Sequence, residues 1–362
     1  MPKQSLLTEL HRSHGAVFIE QNGWLLADHF GDPVREYQSV RMAAGLFDLS
    51  DRALLQFTGP DRVSYLQGML SNDLRLLKMF DGQPATILTQ QGKVIADVRV
   101  LCAMNSLYLD FWEPLKDNIL AHLNRYLVAD EVEINDPSDN WKMLSLQGPS
   151  AQALLDQLFA HADLPQQPHQ HAMVQFDGQP ICVVRADHSG HNGFDLIVEN
   201  SALAALAEQL LLRGASSVGE SAQNMLRIEA GIPRYGVDFT EEHLVLEVGL
   251  ENAVSFTKGC YLGQEIVERI RSRGHVNKKL CGLLLDGNAP ASPGDAIIAA
   301  GHEVGKITSS VSSFALNRPI ALGYIHKDFC SPGTGLTVRR ESSSIAATVS
   351  PLPFVSRSPG YS

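Results

Sequence analysis

The sequence predicts an α+β protein in which two related α/β subdomains are followed by a small C-terminal antiparallel β-barrel. The first observation is an internal echo, because residues 54–70 and 143–159 each run from an apolar strand through Gly-Pro into a helical pattern. The second is a change of sequence composition near residue 278, after which short apolar segments alternate with Gly, Pro, Asn and Ser. Short, evenly spaced strands with such turns are typical of a barrel.

Length and composition indicate the domain organisation. A chain of 362 residues is long for one hydrophobic core, and its 44% hydrophobic and 19% charged residues are ordinary for a globular protein. We therefore expect two or three domains. Residues 1–275 would contain two intertwined α+β subdomains, and residues 276–362 would form the barrel.

The first subdomain is predicted to contain a strand, a helix and a hairpin. Pro60 suits the first turn of a helix, where its missing N–H needs no partner. Residues 92–112 alternate along two strand-like segments around an Asn105-Ser106 turn, which predicts a hairpin. A helix is expected at about 115–128.

The second subdomain repeats this pattern. Pro149 again precedes a helical segment, and residues 172–198 again indicate strands. Asp177-Gly178 is a typical hairpin turn, and residues 191–193 form a second turn signal. The segment 201–213 is rich in Ala and Leu, which favours a helix.

Charge and targeting signals restrict the partners and the compartment. A formal net charge of −11 disfavours whole-surface attraction to nucleic acid or to an anionic membrane. The N-terminal segment lacks the apolar core of a signal peptide, and no run of about 18 apolar residues exists. We expect a cytoplasmic monomer that does not enter a membrane.

The cysteines do not indicate a metal site. No two of them form a CxxC pair, so neither a zinc site nor a disulfide framework is predicted, and an odd, scattered set suits a reducing compartment. The five are Cys102, Cys182, Cys260, Cys281 and Cys330.

Residues 258–265, KGCYLGQE, carry the most specific chemical signal. Two glycines flank Cys260-Tyr261, so the backbone can turn tightly there, and a helix is predicted from Gln264 onward. A helix N-terminus and the nearby Lys258 would both favour a thiolate. Cys260 is therefore a candidate catalytic residue, although a buried structural cysteine is the alternative.

Asp97 interrupts an otherwise apolar strand. Strand alternation places it on the same face as Ile95 and Arg99. The spacing alone favours an ion pair with Arg99 in solvent. The alternative is a carboxylate in a cleft that accepts a proton, which makes Asp97 the second candidate catalytic residue.

Two further polar clusters are candidates for ligand contacts. Arg227 lies on a predicted helix that ends at Gly231, and its planar guanidinium is suited to binding a carboxylate, although a surface position is equally open. Residues 188–195 contain two histidines and an aspartate, but their glycines indicate a hairpin loop, so we do not predict a metal there.

Several segments together resemble the aminomethyltransferase superfamily, the T-protein of glycine cleavage. The resemblance covers nearly the whole chain and implies a GcvT-like folate-binding fold, with three domains around a channel that holds tetrahydrofolate. The KGCYLGQE motif resembles more closely the YgfZ-type folate-binding branch, which is linked to iron–sulfur protein maintenance and tRNA thiomodification. The matching segments are SVRMAAGLFDLSDRALLQFTGPDRVSYLQGMLSNDL, LRIEAGIPRYGVDFTEEHLVLEVGL, KGCYLGQEIVERIRSRG, GKITSSVSS, PIALGYI and PLPFV.

The resemblance also implies roles for individual residues. Asp195 stands where the family has a pterin-binding Glu, and Asp97 stands near the catalytic aspartate of T-proteins, although Ala96 replaces the first of two adjacent acids. The Tyr-Thr-Gly-Glu turn of T-proteins is replaced by residues 188–191, His-Ser-Gly-His. The candidate cofactor-binding residues are Asp195, Arg227, Tyr235, Asn72 and Lys258.

Three functions follow from these expectations. The main hypothesis is a tetrahydrofolate-binding protein that supports iron–sulfur cluster assembly or repair and tRNA modification, with a tetrahydrofolate or one-carbon derivative as cofactor and iron–sulfur client or assembly proteins as partners. The enzyme alternative is a folate-dependent aminomethyltransferase or demethylase-type one-carbon transferase. The third is a non-catalytic module for RNA or protein, which would use the basic stretch of Arg269, Arg271, Arg273, Lys278 and Lys279.

Overall fold

A computed structural model describes residues 1–160, 162–274, 276–340 and 343–355, without the side chain of Arg273. Its contacts divide the chain into two compact units. The first unit comprises Met1–Ile87, Ala96–Gln223 and Ala253–Tyr261. The second comprises Leu88–Ile95, Asn224–Asn252 and the described residues from Leu262 onward.

The secondary structure of the described residues is mixed. The α-helices are α1 (Thr8–Ser13), α2 (Pro33–Met42), α3 (Arg62–Met69), α4 (Lys116–Tyr126), α5 (Ala151–Leu158), α6 (Asn200–Leu212), α7 (Glu220–Glu229), α8 (Val245–Val248) and α9 (Gln264–Arg273). The strands are β1 (Lys3–Gln4), β2 (Val17–Gln21), β3 (Trp24–His29), β4 (Gly45–Asp48), β5 (Arg52–Thr58), β6 (Gly82–Leu88), β7 (Val94–Cys102), β8 (Leu107–Trp112), β9 (Glu133–Asn135), β10 (Trp141–Gln147), β11 (His171–Phe176), β12 (Gln179–Ala186), β13 (Gly193–Glu199), β14 (Ser216–Ser217), β15 (Lys278–Leu285), β16 (Ala296–Ala299), β17 (His302–Ser313), β18 (Arg318–His326), β19 (Gly335–Arg339) and β20 (Ser344–Ser350).

Two sheets confirm the predicted duplication. One has the strand order β6-β7-β8-β5-β9, and the other has the order β11-β12-β13-β10-β4-β14. In each sheet, the first strand of the repeated pattern (β5 or β10) pairs with the fourth strand of that pattern (β8 or β13). A helix follows the first strand in both. The helices are α3 after β5 and α5 after β10.

The Gly-Pro pairs of the echo mark tight strand-to-helix turns. Gly59 has φ +96° and Gly148 has φ +121°, and in each case a side chain would collide with backbone. A Cβ at Gly59 would lie 2.1 Å from the carbonyl oxygen of Glu131. The following prolines lie two residues before the helices begin, rather than in the first helical turn as expected, because Asp61 and Ser150 occupy the cap positions.

The hairpins and their turns are as predicted. β7 and β8 pair in antiparallel register up to Cys102 and Leu107, and β11 and β12 pair on either side of the turn. Asp177 and Gly178 both have positive φ, +49° and +78°, which a two-residue hairpin turn of this kind requires.

The hydrophobic cores follow the layers. Helices α5 and α6 cover the six-stranded sheet, with apolar residues such as Leu155 and Leu206 packed against Leu146 and Phe194. In the second unit, six antiparallel strands close a barrel in the order β15-β18-β17-β16-β19-β20, and its interior is filled by aliphatic side chains such as Leu283 and Val338. This confirms the predicted C-terminal barrel. In the first unit, a separate three-stranded sheet has the order β1-β3-β2.

Candidate functional site

A buried group of ionisable side chains in the first unit surrounds Asp195. This carboxylate, on β13, has a fully buried side chain. Arg99 on β7 contacts its Oδ2 through Nη1 at 2.7 Å, and the Nε2 of His188 lies 2.9 Å from its Oδ1. The side chain of His188 is 31% exposed, so it forms the outer face of the group.

The group continues into the neighbouring sheet. Arg99 lies opposite Asp110 in the β7–β8 register, and its Nη2 contacts Asp110 Oδ2 at 2.6 Å. Asp110 also accepts a hydrogen bond from the Nε of Arg52 at 2.6 Å. Asp97 belongs to the same electrostatic group, because the Arg52 charge acts on it. We call Arg52, Asp97, Arg99, Asp110, His188 and Asp195 the open network.

The open network shifts the pKa values of its carboxyls in opposite directions. Burial alone would raise the pKa of Asp195, but the charges of His188 and Arg99, with hydrogen bonds from His188 and Ser145, outweigh burial and hold it well below its usual range. Burial raises the pKa of Asp97, and the charge of Arg52 opposes this shift only in part. Of these two carboxyls, Asp97 is the one more ready to take up a proton.

This arrangement differs from the solvent-exposed Asp97–Arg99 pair that spacing favoured. Arg99 is buried, and its guanidinium is paired with Asp110 and Asp195. Asp97 is only partly buried. The physical reason is that Asp195 and Asp110 offer Arg99 two buried carboxylates, which compete better than a partly hydrated one.

A second group forms around Lys258. Its ammonium, on a side chain only 5% exposed, donates to the carbonyl oxygens of Gln67, Leu70 and Asn72 at 2.7, 2.7 and 2.9 Å. These carbonyls lie at and just after the end of α3, where a cation complements the helix dipole. Burial lowers the pKa of Lys258 to about 8.

The Lys258 contacts fix the polypeptide that displays Cys260. The hydroxyl of Ser71 donates to the carbonyl oxygen of Ala253 at 2.6 Å, and the ammonium of Lys258 lies 5.0 Å from the ring centroid of Tyr261. We call Ala253–Tyr261 the anchored segment. Its Cys260 is exposed and carries a free thiol, which differs from the alternative of a buried structural cysteine.

Asn72 contributes to the same region through its side chain. Its amide donates to the carbonyl oxygen of Pro84 at 2.7 Å, and its amide oxygen accepts from the backbone N–H of Asp73 at 3.0 Å. The structure therefore brings Asn72, Lys258 and Cys260 into one neighbourhood of the first unit.

A third group lies in the second unit, around Arg227 on α7. The guanidinium donates to Asp238 Oδ2 at 2.5 Å, to Asn224 at 2.8 Å and to the hydroxyl of Ser309 at 2.8 Å. Asp238 Oδ1 also accepts from Thr308 and Ser309, each at 2.6 Å. We call Asn224, Arg227, Asp238, Thr308 and Ser309 the closed network, because both charges are buried and paired within the protein.

The remaining candidates fall into the second unit. Tyr235 packs edge-on against Phe239, with ring centroids 5.2 Å apart. In the basic stretch, Arg271 lies 3.8 Å from Glu268 and Lys279 lies 3.2 Å from Glu251, so part of its charge is balanced locally. The side chain of Arg273 lies outside the described part of the chain.

The sequence did not single out Arg52, Asp110 or a binding role for His188. Arg52 and Asp110 lie on strands that looked like ordinary alternation. The only sequence signal for them was that charged residues stand in the largely apolar strands β5 and β8, as Arg99 does in β7. His188 was noticed only as a departure from a family pattern.

Comparison with known proteins assigns both parts of the chain. A family model described as the GCVT N-terminal domain matches residues 7–258, and one described as the glycine cleavage T-protein C-terminal barrel domain matches residues 278–356. No helix of the described residues is long and apolar enough to cross a membrane.

Relatives and a solved structure agree with these models. An aminomethyltransferase of Rubrobacter xylanophilus is 31% identical over 98% of this chain and 95% of its own length. A putative chloroplastic transferase of Arabidopsis thaliana is 31% identical over 86% of this chain and 71% of its own. The crystal structure of glycine cleavage system aminomethyltransferase T from Bartonella henselae superposes with a TM-score of 0.91 at 26% identity, covering 99% of each chain.

Proposed function

The chain belongs to the glycine cleavage T-protein family, and we propose that within it the protein is a tetrahydrofolate-binding member of the YgfZ type, with Cys260 as its working thiol in the maintenance of iron–sulfur proteins. Aminomethyltransferases of this family use tetrahydrofolate as the one-carbon acceptor. When bound, the folate would supply a reduced pterin whose nitrogens accept or carry a one-carbon unit.

The open network has a group that fits a pterin, but that group is His188 rather than Asp195. Asp195 is fully buried, and its oxygens already accept from Arg99 and His188. A carboxylate only accepts, so we assign the Nε2 proton of His188 to the Asp195 side. Nδ1 is then the ring nitrogen that can hydrogen-bond to a pterin, whose ring offers both donor and acceptor atoms. Asp195 acts as the residue that orients His188.

The observation that carries the proposal is the contrast between a buried lysine and an exposed cysteine within the anchored segment. Lys258 is buried and held by three carbonyl oxygens, whereas Cys260, two residues later, is exposed. Holding three carbonyls with one ammonium restrains the backbone on one side of a thiol that stays accessible. An accessible thiol on a restrained backbone is suited to ligate a soft metal or to attack an electrophile, because it need not be ordered first.

Aminomethyl transfer is the second candidate function, and one observation favours it. Burial raises the pKa of Asp97 and the charge of Arg52 offsets this only in part, as a proton acceptor for an amine donor would require. Several of the matching relatives are named aminomethyltransferases. Against it stand Ala96, in place of the first of two acids, and the histidines of residues 188–191, in place of the aromatic and acidic residues of that turn.

Two variants separate the candidates when both are measured in two assays. Cys260→Ser removes the exposed thiol, and Asp97→Asn removes the basic carboxylate. The first assay is rescue of iron–sulfur enzyme activity in a strain that lacks its own protein of this type. The second is methylene-tetrahydrofolate formation from an aminomethyl donor. Cys102→Ser is the matched control, because it removes a partly buried thiol outside the anchored segment.

The proposal predicts that Cys260→Ser fails to rescue while Asp97→Asn and Cys102→Ser rescue fully. Rescue by Cys260→Ser at the wild-type level would contradict the thiol role. Measurable methylene-tetrahydrofolate formation that Asp97→Asn abolishes would establish the second candidate instead.

A further inference from the structure

Two cysteines of the barrel lie side by side although they are far apart in the sequence. Cys281 is on β15, opposite Gly323 of β18, and only 8% of it is exposed. The chain leaves β18 at His326, passes through a 3-10 turn at Lys327–Phe329 and brings Cys330 back onto the apolar cluster that contains Cys281, where the two side chains interact. Cys330 is partly exposed.

The surroundings make the two thiols unequal. Cys330 Sγ lies 3.2 Å from the carbonyl oxygen of Ile325, and the backbone N–H of Lys279 also hydrogen-bonds it. The hydrogen bond from Cys281 lowers the pKa of Cys330, with support from the charge of Lys279, although burial opposes the shift. The same hydrogen bond, followed by burial, raises the pKa of Cys281 far above its usual value.

This asymmetry is that of a reactive dithiol. The outer thiol of such a pair is partly exposed and forms the thiolate more readily, and the inner thiol is buried against it. Cys330 packs against the apolar cluster of the barrel that contains Cys281, so a bond between the two sulfurs needs no change of strand register.

We propose that Cys330 and Cys281 form an intramolecular disulfide when the protein meets a small organic disulfide, with Cys330 as the attacking thiol and Cys281 as the resolving thiol. The Cys330 thiolate attacks one sulfur of the oxidant, forming a mixed disulfide and expelling one thiolate. Cys281 then loses its proton to solvent and attacks Cys330 sulfur, expelling the second thiolate. In total two protein thiols are oxidised and one disulfide is reduced to two thiols.

The test uses the full chain with the exposed thiol removed, Cys260→Ser, in oxidised and reduced glutathione buffers. We expect free thiols to fall from four to two, with a peptide pair joined through positions 281 and 330 that separates on reduction. Adding Cys281→Ser should trap one glutathione on Cys330. Adding Cys330→Ser should leave Cys281 unmodified. The oxidised protein should unfold several degrees higher than the reduced one, because the link restrains the unfolded chain.

Peptide mapping of the otherwise unaltered chain keeps the test independent of how the serine variants fold. Cys102 and Cys182 are internal controls, because burial raises the pKa of each thiol. Four free thiols remaining in the Cys260→Ser chain in fully oxidised buffer would overturn the proposal. So would glutathione on Cys281 in place of Cys330, or oxidation of Cys102 and Cys182 at the same potential.

Discussion

The open network and the closed network are both built from buried arginines and aspartates, yet they are balanced differently. The closed network sets one guanidinium against one carboxylate, and hydroxyl and amide groups from Ser309, Thr308 and Asn224 complete it. The open network sets two guanidiniums against three carboxylates and ends at the half-exposed His188 and the partly buried Asp97.

The difference distinguishes charged residues that stabilise the fold from charged residues that are able to bind a ligand. Where each buried charge has its own partner, both groups are already satisfied within the protein and stabilise the fold. Where carboxylates outnumber cations, one of them is left ready to take up a proton, and here that carboxyl is Asp97. We therefore expect variants of the closed network to change stability most and variants of the open network to change ligand binding and pH response.

The largest expected effect is on the closed network. Arg227→Met leaves Asp238 buried without its cation, and we expect the free energy of unfolding to fall by about 3–5 kcal/mol, measured by urea unfolding. The double variant Arg227→Met with Asp238→Leu should lose clearly less, because no isolated charge remains. A single variant within about 0.5 kcal/mol of wild type would mean that the closed network is not structural.

A smaller loss is expected from Asp195→Asn. Arg99 keeps Asp110 after this change, so we expect a loss of about 2 kcal/mol rather than the full cost of an isolated charge. Urea unfolding at pH 7 gives the comparison. If Asp195→Asn destabilises the chain more than Arg227→Met does, the two networks have been assigned the wrong way round.

Acid should act on the open network through Asp195. Its folded pKa lies below the ordinary value of 3.8, so its contribution is fully present above about pH 5 and is lost as the pH falls towards the folded pKa. The free energy of unfolding should therefore decrease steadily below about pH 5, and Asp195→Asn should flatten that decrease. Equal slopes for both proteins would show that other carboxyls cause the acid effect.

Asp97→Asn is expected to give a small change of the opposite sign. The folded pKa of Asp97 is raised, so its favourable contribution exists at acid pH and is lost as the pH rises through that pKa. At pH 7 the neutral amide should stabilise the chain by about 0.5–1 kcal/mol, screened by partial exposure, and the gain should vanish near pH 3–4. A destabilisation at pH 7 would show that the ionised carboxylate is needed by the fold.

The architecture could be predicted from the sequence because it depends on local periodicity. The similarity of residues 54–70 to residues 143–159 predicts the order of strand, turn and helix in both subdomains. The Asp177-Gly178 pair predicts a hairpin turn. The helix Gln264–Arg273 begins where the polar Gln264-Glu265 pair follows Gly263. Such signals need no knowledge of distant contacts.

The open network could not be predicted because it depends on how two sheets face each other. Arg99 joins Asp110 of its own sheet to Asp195 of another, and strand alternation says nothing about that second partner. For the same reason the sequence suggested Asp195 as a ligand contact, although the chain buries it beneath His188. The placement of Lys258 under α3 is likewise a contact between distant segments.

The most direct test is calorimetric titration of tetrahydrofolate into wild type, His188→Ala and Arg269→Ala, the last as a charge control on α9. If the open network meets the ligand through His188, His188→Ala should weaken binding about tenfold or more while its unfolding temperature stays close to that of wild type, and Arg269→Ala should bind as wild type does. Binding by His188→Ala at the wild-type affinity would contradict this account.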